Sequence, residues 1–349
     1  MAKVTFVIGN GFDLNCGLKT RFTDMYPSYI ATPSQNSIIA DFKRDIQDNE
    51  SLHFQRWSDF EMGMARYAEN WRNEEELLTC LEDFTTHMIQ YIGNELQSFS
   101  DRISGDGLLF ASRELINSIE SFYRGLPHND PVKRFDALLK DGIVEIDFII
   151  FNYTNTFDSL LSAALADADT VHMRIKYHDP IHIHGTLYGP VLGIDNESQL
   201  NISNYELTSS GKRAFIKPAF NKEYDLGKLQ LALDIIKHSD LICVYGKRFG
   251  ESDLMWNQAI WDWLNRDQSH ELVYYDHSAS NFVSNIPWRR MDLEDATKER
   301  LIRELNGQNN AFSQIHIPIG VNNFNIAKAV QSFVDFKEKN RARSTGSAR

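Results

Sequence analysis

The sequence predicts an α/β protein built on a doubly wound parallel sheet, and three observations support this class. Runs such as Val4–Ile8 and Val144–Phe151 are almost continuously apolar, which is typical of strands covered on both faces. Such runs lie far apart and alternate with helical patterns, as in sheets whose parallel strands are joined by helices. Glycine-rich or polar segments follow several runs directly, where open sheets of this class place ligands.

Composition excludes several functional classes. The chain has 349 residues, is 42% hydrophobic and carries a formal net charge of −12, so nucleic acid is not expected as a partner. No apolar run reaches the roughly 18 residues of a membrane-spanning helix, and no membrane association is expected. Val4–Ile8 is too short for a signal peptide, and the three widely separated cysteines fit a reducing compartment, so the sequence predicts a cytoplasmic protein.

Two kinds of segment divide the chain. Residues 1–34 and 141–340 carry the strand patterns and are predicted to form one α/β domain. Residues 35–140 are predicted to form a large helical insert or layer, because apolar residues recur there every three or four positions. Residues 341–349 are polar and basic and are predicted to be a disordered tail. Further strands are predicted at Asp179–Thr186, Pro190–Ile194, Asp240–Tyr245, Glu271–Tyr275 and Ile315–Ile319, and a closing helix at Ile326–Lys339.

The first glycine loop follows the first strand at residues 9–13. A strand, a glycine turn and a helix together aim backbone N–H groups at an anion, and glycine lets a ligand approach closely. The alternative is a tight strand-to-helix turn that binds nothing. The candidate nucleotide-binding residues of this region are Gly9, Asn10, Gly11, Phe12, Asp13 and, one turn later, Thr20.

The second buried run ends in polar residues. Asn152 and Asn155 carry amides that can orient a hydroxyl or a water molecule without adding charge. They could equally form a turn or a helix cap, and Asp158 could cap the next helix.

His184 and Gly185 follow a third predicted strand. A histidine at such a position can accept a proton near neutral pH, and the glycine lets the backbone turn beneath a ligand. The alternative is a histidine that is hydrogen-bonded for structural reasons. His172, His178 and His182 lie nearby, but no metal is expected because no carboxylate or cysteine completes a recognisable ligand spacing.

A second glycine loop spans residues 246–253. Arg248 can meet a phosphate, Ser252 is expected to cap the following helix, and Asp253 can offset the helix dipole. The candidate binding residues are Gly246, Arg248, Ser252 and Asp253, together with Gly185. Because carboxyl ends of parallel strands share one edge, all four segments are expected to converge on one site.

Glu61 lies in a helical pattern with Trp57 and Phe60 on the same side. The favoured interpretation is a core face whose acid is solvated or caps the helix. The alternative is a glutamate directed toward a pocket.

Several of these segments together resemble the AbiH-type bacteriophage abortive-infection proteins. The resemblance rests on residues 7–13, 17–20 and 24–26, on Trp57–Glu61, on Phe151–Asn155 and on His182–Gly185, and spans roughly residues 4–265. More distantly, the order of motifs is similar to that of sirtuin-like defence enzymes, with Thr154-Asn155 after a central strand and then His184-Gly185. The opening Gly-Asn-Gly-Phe-Asp departs from the sirtuin Gly-Ala-Gly, Asp158 comes one residue late, and the zinc module of deacetylating sirtuins is missing.

The resemblance implies a Rossmann-like, sirtuin-like nucleotide-binding fold with NAD cleavage, and protein deacetylation is not expected. The favoured hypothesis is an anti-phage defence protein that binds NAD as its substrate and hydrolyses its nicotinamide–ribose bond. His184 is expected to accept a proton and Asn155, or Asn152, to orient the ribose or the water, which leaves open which asparagine is catalytic. The expected partners are NAD or a related nucleotide, a phage-derived trigger or a protein from the same operon, and further copies of the chain. Three alternatives remain open at this point: a non-catalytic sensor of a nucleotide or ADP-ribose, a nuclease or metal-dependent hydrolase, and a scaffold.

Overall fold

A computed structural model describes residues 1–103, 105–167, 174–224, 226–284, 286–305 and 309–335. Its strands form a parallel sheet in the order β3-β2-β1-β5-β6-β7, with β4 also paired to β2, so the predicted fold class is confirmed. The predicted tail and the last residues of the closing helix lie outside the described residues; residues 326–335 are helical. The strands are β1 (Ala2–Ile8), β2 (Val144–Ile150), β3 (Ile175–Tyr177), β4 (Ile181–His182), β5 (Leu241–Tyr245), β6 (Glu271–Tyr275) and β7 (Ile315–His316).

The strand order identifies a topological switch point between β1 and β5. Both β3 and β4 pair with the outer edge of β2, so they act as one interrupted strand. With that strand counted once, the order becomes 3-2-1-4-5-6, which is the order of doubly wound dinucleotide-binding sheets. In such sheets the ligand lies beyond the carboxyl ends of the strands where the chain reverses its direction across the sheet.

Helices cover both faces of the sheet. From β1, Val4, Phe6 and Ile8 pack into one apolar core, whereas Val7 packs into another on the opposite face. The helices are α1 (Gly11–Asn15), α2 (Phe22–Ala31), α3 (Ser37–Asp48), α4 (Phe60–Tyr67), α5 (Glu74–Ile103), α6 (Asp106–Glu120), α7 (Asn129–Asp141), α8 (Thr156–Leu165), α9 (Ser209–Phe215), α10 (Lys217–Tyr224), α11 (Leu226–His238), α12 (Leu254–Arg266), α13 (His277–Ser280) and α14 (Pro287–Glu304).

The predicted helical segment contributes to two cores. Leu115 of α6 and Phe135 of α7 pack in the same core as Phe6, so these two helices complete one layer over the sheet. Helices α2 to α5 instead build a separate aromatic core, in which the rings of Phe60 and Phe84 stack with centroids 3.6 Å apart. Residues from Leu192 to Ile216 join this second core, which therefore extends toward the carboxyl edge of the sheet.

Three predicted strands differ from the structure. The segment Pro190–Ile194 forms no strand: Ile194 makes one bridge to Ile216, because its N–H donates to Phe215 O (2.9 Å) and not to the sheet. The strands predicted at Asp179–Thr186 and Ile315–Ile319 shorten to the two-residue strands β4 and β7. In the described parts of the chain, no helix is long and apolar enough to cross a membrane.

Candidate functional site

Four polar or glycine-rich segments lie at one edge of the sheet. They follow β1, β2, β4 and β5, which are parallel and adjacent, so residues 9–13, 152–158, 184–185 and 246–253 all leave the sheet at its carboxyl edge. The site is therefore built from segments spread between residue 9 and residue 253, as the parallel topology requires.

The two glycine loops touch backbone to backbone at the switch point. Gly9 N–H donates to Tyr245 O and Gly11 N–H to Gly246 O, each at 2.9 Å. A Cβ on Gly9 would lie 2.7 Å from the Cα of Lys247, so a larger residue does not fit there. These N–H groups are thus already bonded within the protein, and the glycines are needed for loop packing.

The remaining residues of the first loop hold its shape. Thr20 Oγ1 donates to Asn10 Oδ1 (2.6 Å), and Asn10 Nδ2 donates back to Thr20 O (3.1 Å). Phe12 is fully buried, and its ring lies 5.2 Å from that of Phe157 in the core. Asn10, Thr20 and Phe12 therefore have structural contacts that position the loop.

Asp13 faces the end of β2. Its side chain is 1% exposed, and Thr154 Oγ1 lies 2.9 Å from both carboxylate oxygens. Burial raises the pKa of Asp13 to about 7, against the opposing effects of Thr154 and Asn152. A carboxyl group with this pKa can hold or release a proton near neutral pH.

Two buried polar side chains near the end of β2 lack full hydrogen bonding. Within the described residues, the Nδ2 and Oδ1 of Asn152 have no partner in good hydrogen-bond geometry, although this side chain faces Asp13 and lowers the pKa of that carboxyl, and Thr156 Oγ1 has no partner either. Asn152 is only 4% exposed. Buried polar atoms are nearly always hydrogen-bonded in folded proteins, so this group of atoms is suited to receive the hydroxyl groups of a ligand.

His182 joins the ends of β2 and β4 as a charged side chain. Its Nδ1 lies 3.1 Å from Asn152 O and its Nε2 lies 2.8 Å from Asp158 Oδ2. Two acceptors require two N–H donors, which only the imidazolium form provides. Burial works against this charge, but Asp158 raises the pKa of His182 above its ordinary value.

His184 is buried and uncharged. Its Nε2 lies 3.2 Å from Asp253 Oδ1, and its ring stands nearly perpendicular to Phe151 with centroids 5.2 Å apart. Burial and the nearby Lys217 lower the pKa of His184 to about 4. The Asp253 carboxylate beside Nε2, although not in hydrogen-bond geometry, favours a proton on that nitrogen, which leaves Nδ1 to accept one.

A buried cluster of charges surrounds Asp253. Lys217 Nζ lies 2.9 Å from Glu61 Oε2, 3.1 Å from Ser252 O and 3.1 Å from Asp253 Oδ1. Lys247 Nζ lies 2.6 Å from Asp253 Oδ2 and 3.9 Å from the centre of the Phe151 ring. Burial alone would raise the pKa of Asp253, but the two lysines hold it well below its ordinary value.

The structure corrects the favoured interpretation of Glu61. Asp59, and not Glu61, caps α4 by accepting a hydrogen bond from Met62 N–H (3.1 Å). Glu61 is 5% exposed and extends to the site, where its Oε1 accepts the Gly193 N–H (2.9 Å) and its Oε2 meets Lys217. Lys217 was missed because it follows no predicted strand and belongs to no motif, although the residues on either side of it are apolar.

Other candidates lie apart from this cluster. Asn155 is exposed at the start of α8 and makes no side-chain cap, and Arg248 is also exposed. Ser252 does not cap α12 as predicted; its carbonyl accepts from Lys217. Gly185, with φ +70°, turns against Gly189, whose O would lie 2.0 Å from an added Cβ.

The histidines near the site do not form a metal centre in the described residues. Within those ranges, no three histidine, cysteine or acidic side chains are grouped so that they could hold a metal ion. His178 is bonded to Asp147 (2.6 Å), away from the carboxyl edge, and His172 lies outside the described residues.

Comparison with known proteins identifies a family to which the chain is similar. The model of the family described as bacteriophage abortive infection AbiH matches residues 5–275, which include the four segments of the site and Glu61. No curated protein matches the chain.

Proposed function

The chain belongs to the AbiH family of bacteriophage abortive infection proteins, and we propose that it serves this defence by binding NAD and hydrolysing its nicotinamide–ribose bond. The main support is the incompletely bonded amide of Asn152 beside Asp13, together with the unpartnered hydroxyl of Thr156 at the start of α8. These atoms lie at the carboxyl edge of a sheet with the strand order of dinucleotide-binding folds. A ribose, with its adjacent hydroxyl groups, offers the donors and acceptors that these atoms lack.

The proposed reaction needs little covalent help from the protein. Water attacks the ribose C1′, the bond to nicotinamide breaks, and its electron pair leaves with nicotinamide as a neutral molecule. The proton of the water passes to a base, which leaves ADP-ribose. The transition state resembles an oxocarbenium ion, so holding the ribose and placing the water account for most of the catalysis.

Two side chains are candidates for the base. His184 is uncharged near neutral pH and has a nitrogen free to accept a proton, although its pKa of about 4 makes it a weak base. Asp13, with a pKa of about 7, is better matched to neutral pH. Asn152 would orient the ribose or the water, and the exposed Asn155 stays a second candidate for that role.

The same geometry also supports a sensor that binds NAD or ADP-ribose without cleaving it. The N–H groups of Gly9 and Gly11 are already bonded within the protein, and His184 is 7% exposed. The aromatic core of α2 to α5 joins residues 192–216 near the site, so it could carry a ligand-dependent change to a partner protein or a phage-derived trigger.

Nicotinamide release measured on the purified protein, alone and with extract of phage-infected cells, separates these functions. Hydrolysis predicts release by the wild type and a loss of about 100-fold or more in Asp13→Asn or His184→Ala. His178→Ala is the matched control, because His178 lies away from the site. Binding of NAD in calorimetry without nicotinamide release identifies the sensor. A protein that shows no binding of NAD and no release of nicotinamide contradicts both functions.

A further inference from the structure

Four separate parts of the chain meet in a cluster of charges around Asp253. Glu61 comes from α4, Lys217 from the start of α10, His184 from the segment after β4, and Lys247 from the loop that also carries Asp253. Four of the five side chains are buried, those of the two lysines being 3% and 4% exposed, and the side chain of Asp253 is 13% exposed. Placing so many ionisable groups together away from water is costly unless their charges compensate one another.

The contacts show how these charges compensate. The Asp253 carboxylate meets Lys247 at 2.6 Å, Lys217 at 3.1 Å and His184 at 3.2 Å. Lys217 in turn meets Glu61 at 2.9 Å. Two ammonium groups therefore face the Asp253 carboxylate, and burial raises the pKa of Glu61 to about 8 against the opposing effect of Lys217, so no charge is required of the imidazole.

We propose that Lys217, held in place by Glu61, is a positioning residue for His184: by neutralising the Asp253 carboxylate it keeps the facing imidazole uncharged and able to accept a proton. The catalytic meaning of this arrangement rests on the proposed cleavage of NAD. The electrostatic part concerns the protein alone and is open to measurement without any ligand.

Removing Lys217 changes the balance in a defined direction. Asp253 would then keep one ammonium partner, that of Lys247, and the loss of the Lys217 charge beside His184 would favour protonation of the imidazole. Tyr153, whose ring lies 6.4 Å from that of His184, carries no charge because burial raises its pKa. Asp195, near Lys217, accepts from Met255 N–H (2.8 Å), and burial raises its pKa too.

The test is the protonation midpoint of His184, followed by NMR in the full-length protein with labelled histidine. The His184 signal is assigned by its loss in His184→Ala. In Lys217→Met the midpoint is expected to rise by about 1 to 3 pH units. In the double variant Lys217→Met/Asp253→Asn it is expected to return to the wild-type value, because the carboxylate that attracts the proton is gone.

Two further variants keep the test decisive. Lys43→Met removes a buried lysine that pairs with Asp83 in the helical layer, and it is expected to leave the His184 midpoint unchanged. Lys217→Gln keeps a hydrogen-bond donor without the charge, and it replaces Lys217→Met if that protein does not fold.

An unchanged midpoint in a folded Lys217 variant overturns the proposal, as does a raised midpoint that persists in the double variant. Neither result depends on NAD. The protein could thus fail to release nicotinamide while the midpoint still shifts, so the two proposals fail separately.

Discussion

Gly11 and Gly246 are in direct contact across the switch point of the sheet: a Cβ added to Gly11 would lie 2.5 Å from the Cα of Gly246. Gly246 also has φ +70°, a conformation that favours glycine. The turn after β1 and the turn after β5 therefore fit together only while both positions lack a side chain.

Gly11→Ala is expected to destabilise the protein by about 1 to 3 kcal/mol, because the added methyl group meets backbone that cannot move away freely. Urea denaturation measures this change in the free energy of unfolding. Gly93→Ala is the control: Gly93 lies inside α5, and a Cβ added there would have no atom within 4 Å, so alanine should stabilise by roughly 0.5 to 1 kcal/mol. Equal changes in the free energy of unfolding for the two substitutions would contradict the close contact between Gly11 and Gly246.

Asp13 should make stability fall as the pH rises. Its folded pKa of about 7 lies above the ordinary 3.8, so between these values the folded state binds more protons than the unfolded state, and ionisation opposes folding. Asp13→Asn removes this effect. The difference in free energy of unfolding between this variant and the wild type should therefore change in favour of the variant by up to about 1.4 kcal/mol per pH unit from pH 5 to 7. The measurement is urea denaturation of both proteins over this range. If their free energies of unfolding change equally with pH, Asp13 is ionised throughout and the prediction is contradicted.

His182 should act in the opposite direction. Its folded pKa lies above the ordinary 6.5, so its pairing with Asp158 stabilises the protein fully below pH 6.5, and this contribution is lost as the pH rises through the folded pKa. Asp158→Asn should therefore cost more stability at pH 6 than at pH 9, as measured by thermal melting. Asp262→Asn, which affects an exposed aspartate bonded to Gln258, should show no such pH dependence.

The sequence predicted the parts of the fold that follow from local patterns of apolar residues. Val4–Ile8 and Val144–Phe151 are apolar on both faces, and the structure contains them as the central strands β1 and β2. The segment Pro190–Ile194 has the same apolar character but lacks a partner strand, since the Ile194 N–H donates to Phe215 O at the end of α9. The local sequence pattern does not determine which strand or loop a short apolar segment pairs with in the folded protein.

The candidate site was predicted where it depends on strand ends, and missed where it depends on tertiary packing. Asp13, Asn152 and His184 each follow a strand, so parallel topology alone brings them to one edge. Lys217 follows no strand and reaches the site only because the junction between α9 and α10 bonds to Ile194. Its partner Glu61 lies 156 positions away, and no spacing rule connects them.

The most direct test of the central claim is a crystal structure of the protein with NAD bound. The account predicts that the ribose next to nicotinamide lies at the carboxyl edge of the sheet, with a hydroxyl group bonded to the Asn152 amide and the nicotinamide end near His184. NAD bound elsewhere, with the Asn152 amide still unpartnered, would contradict it.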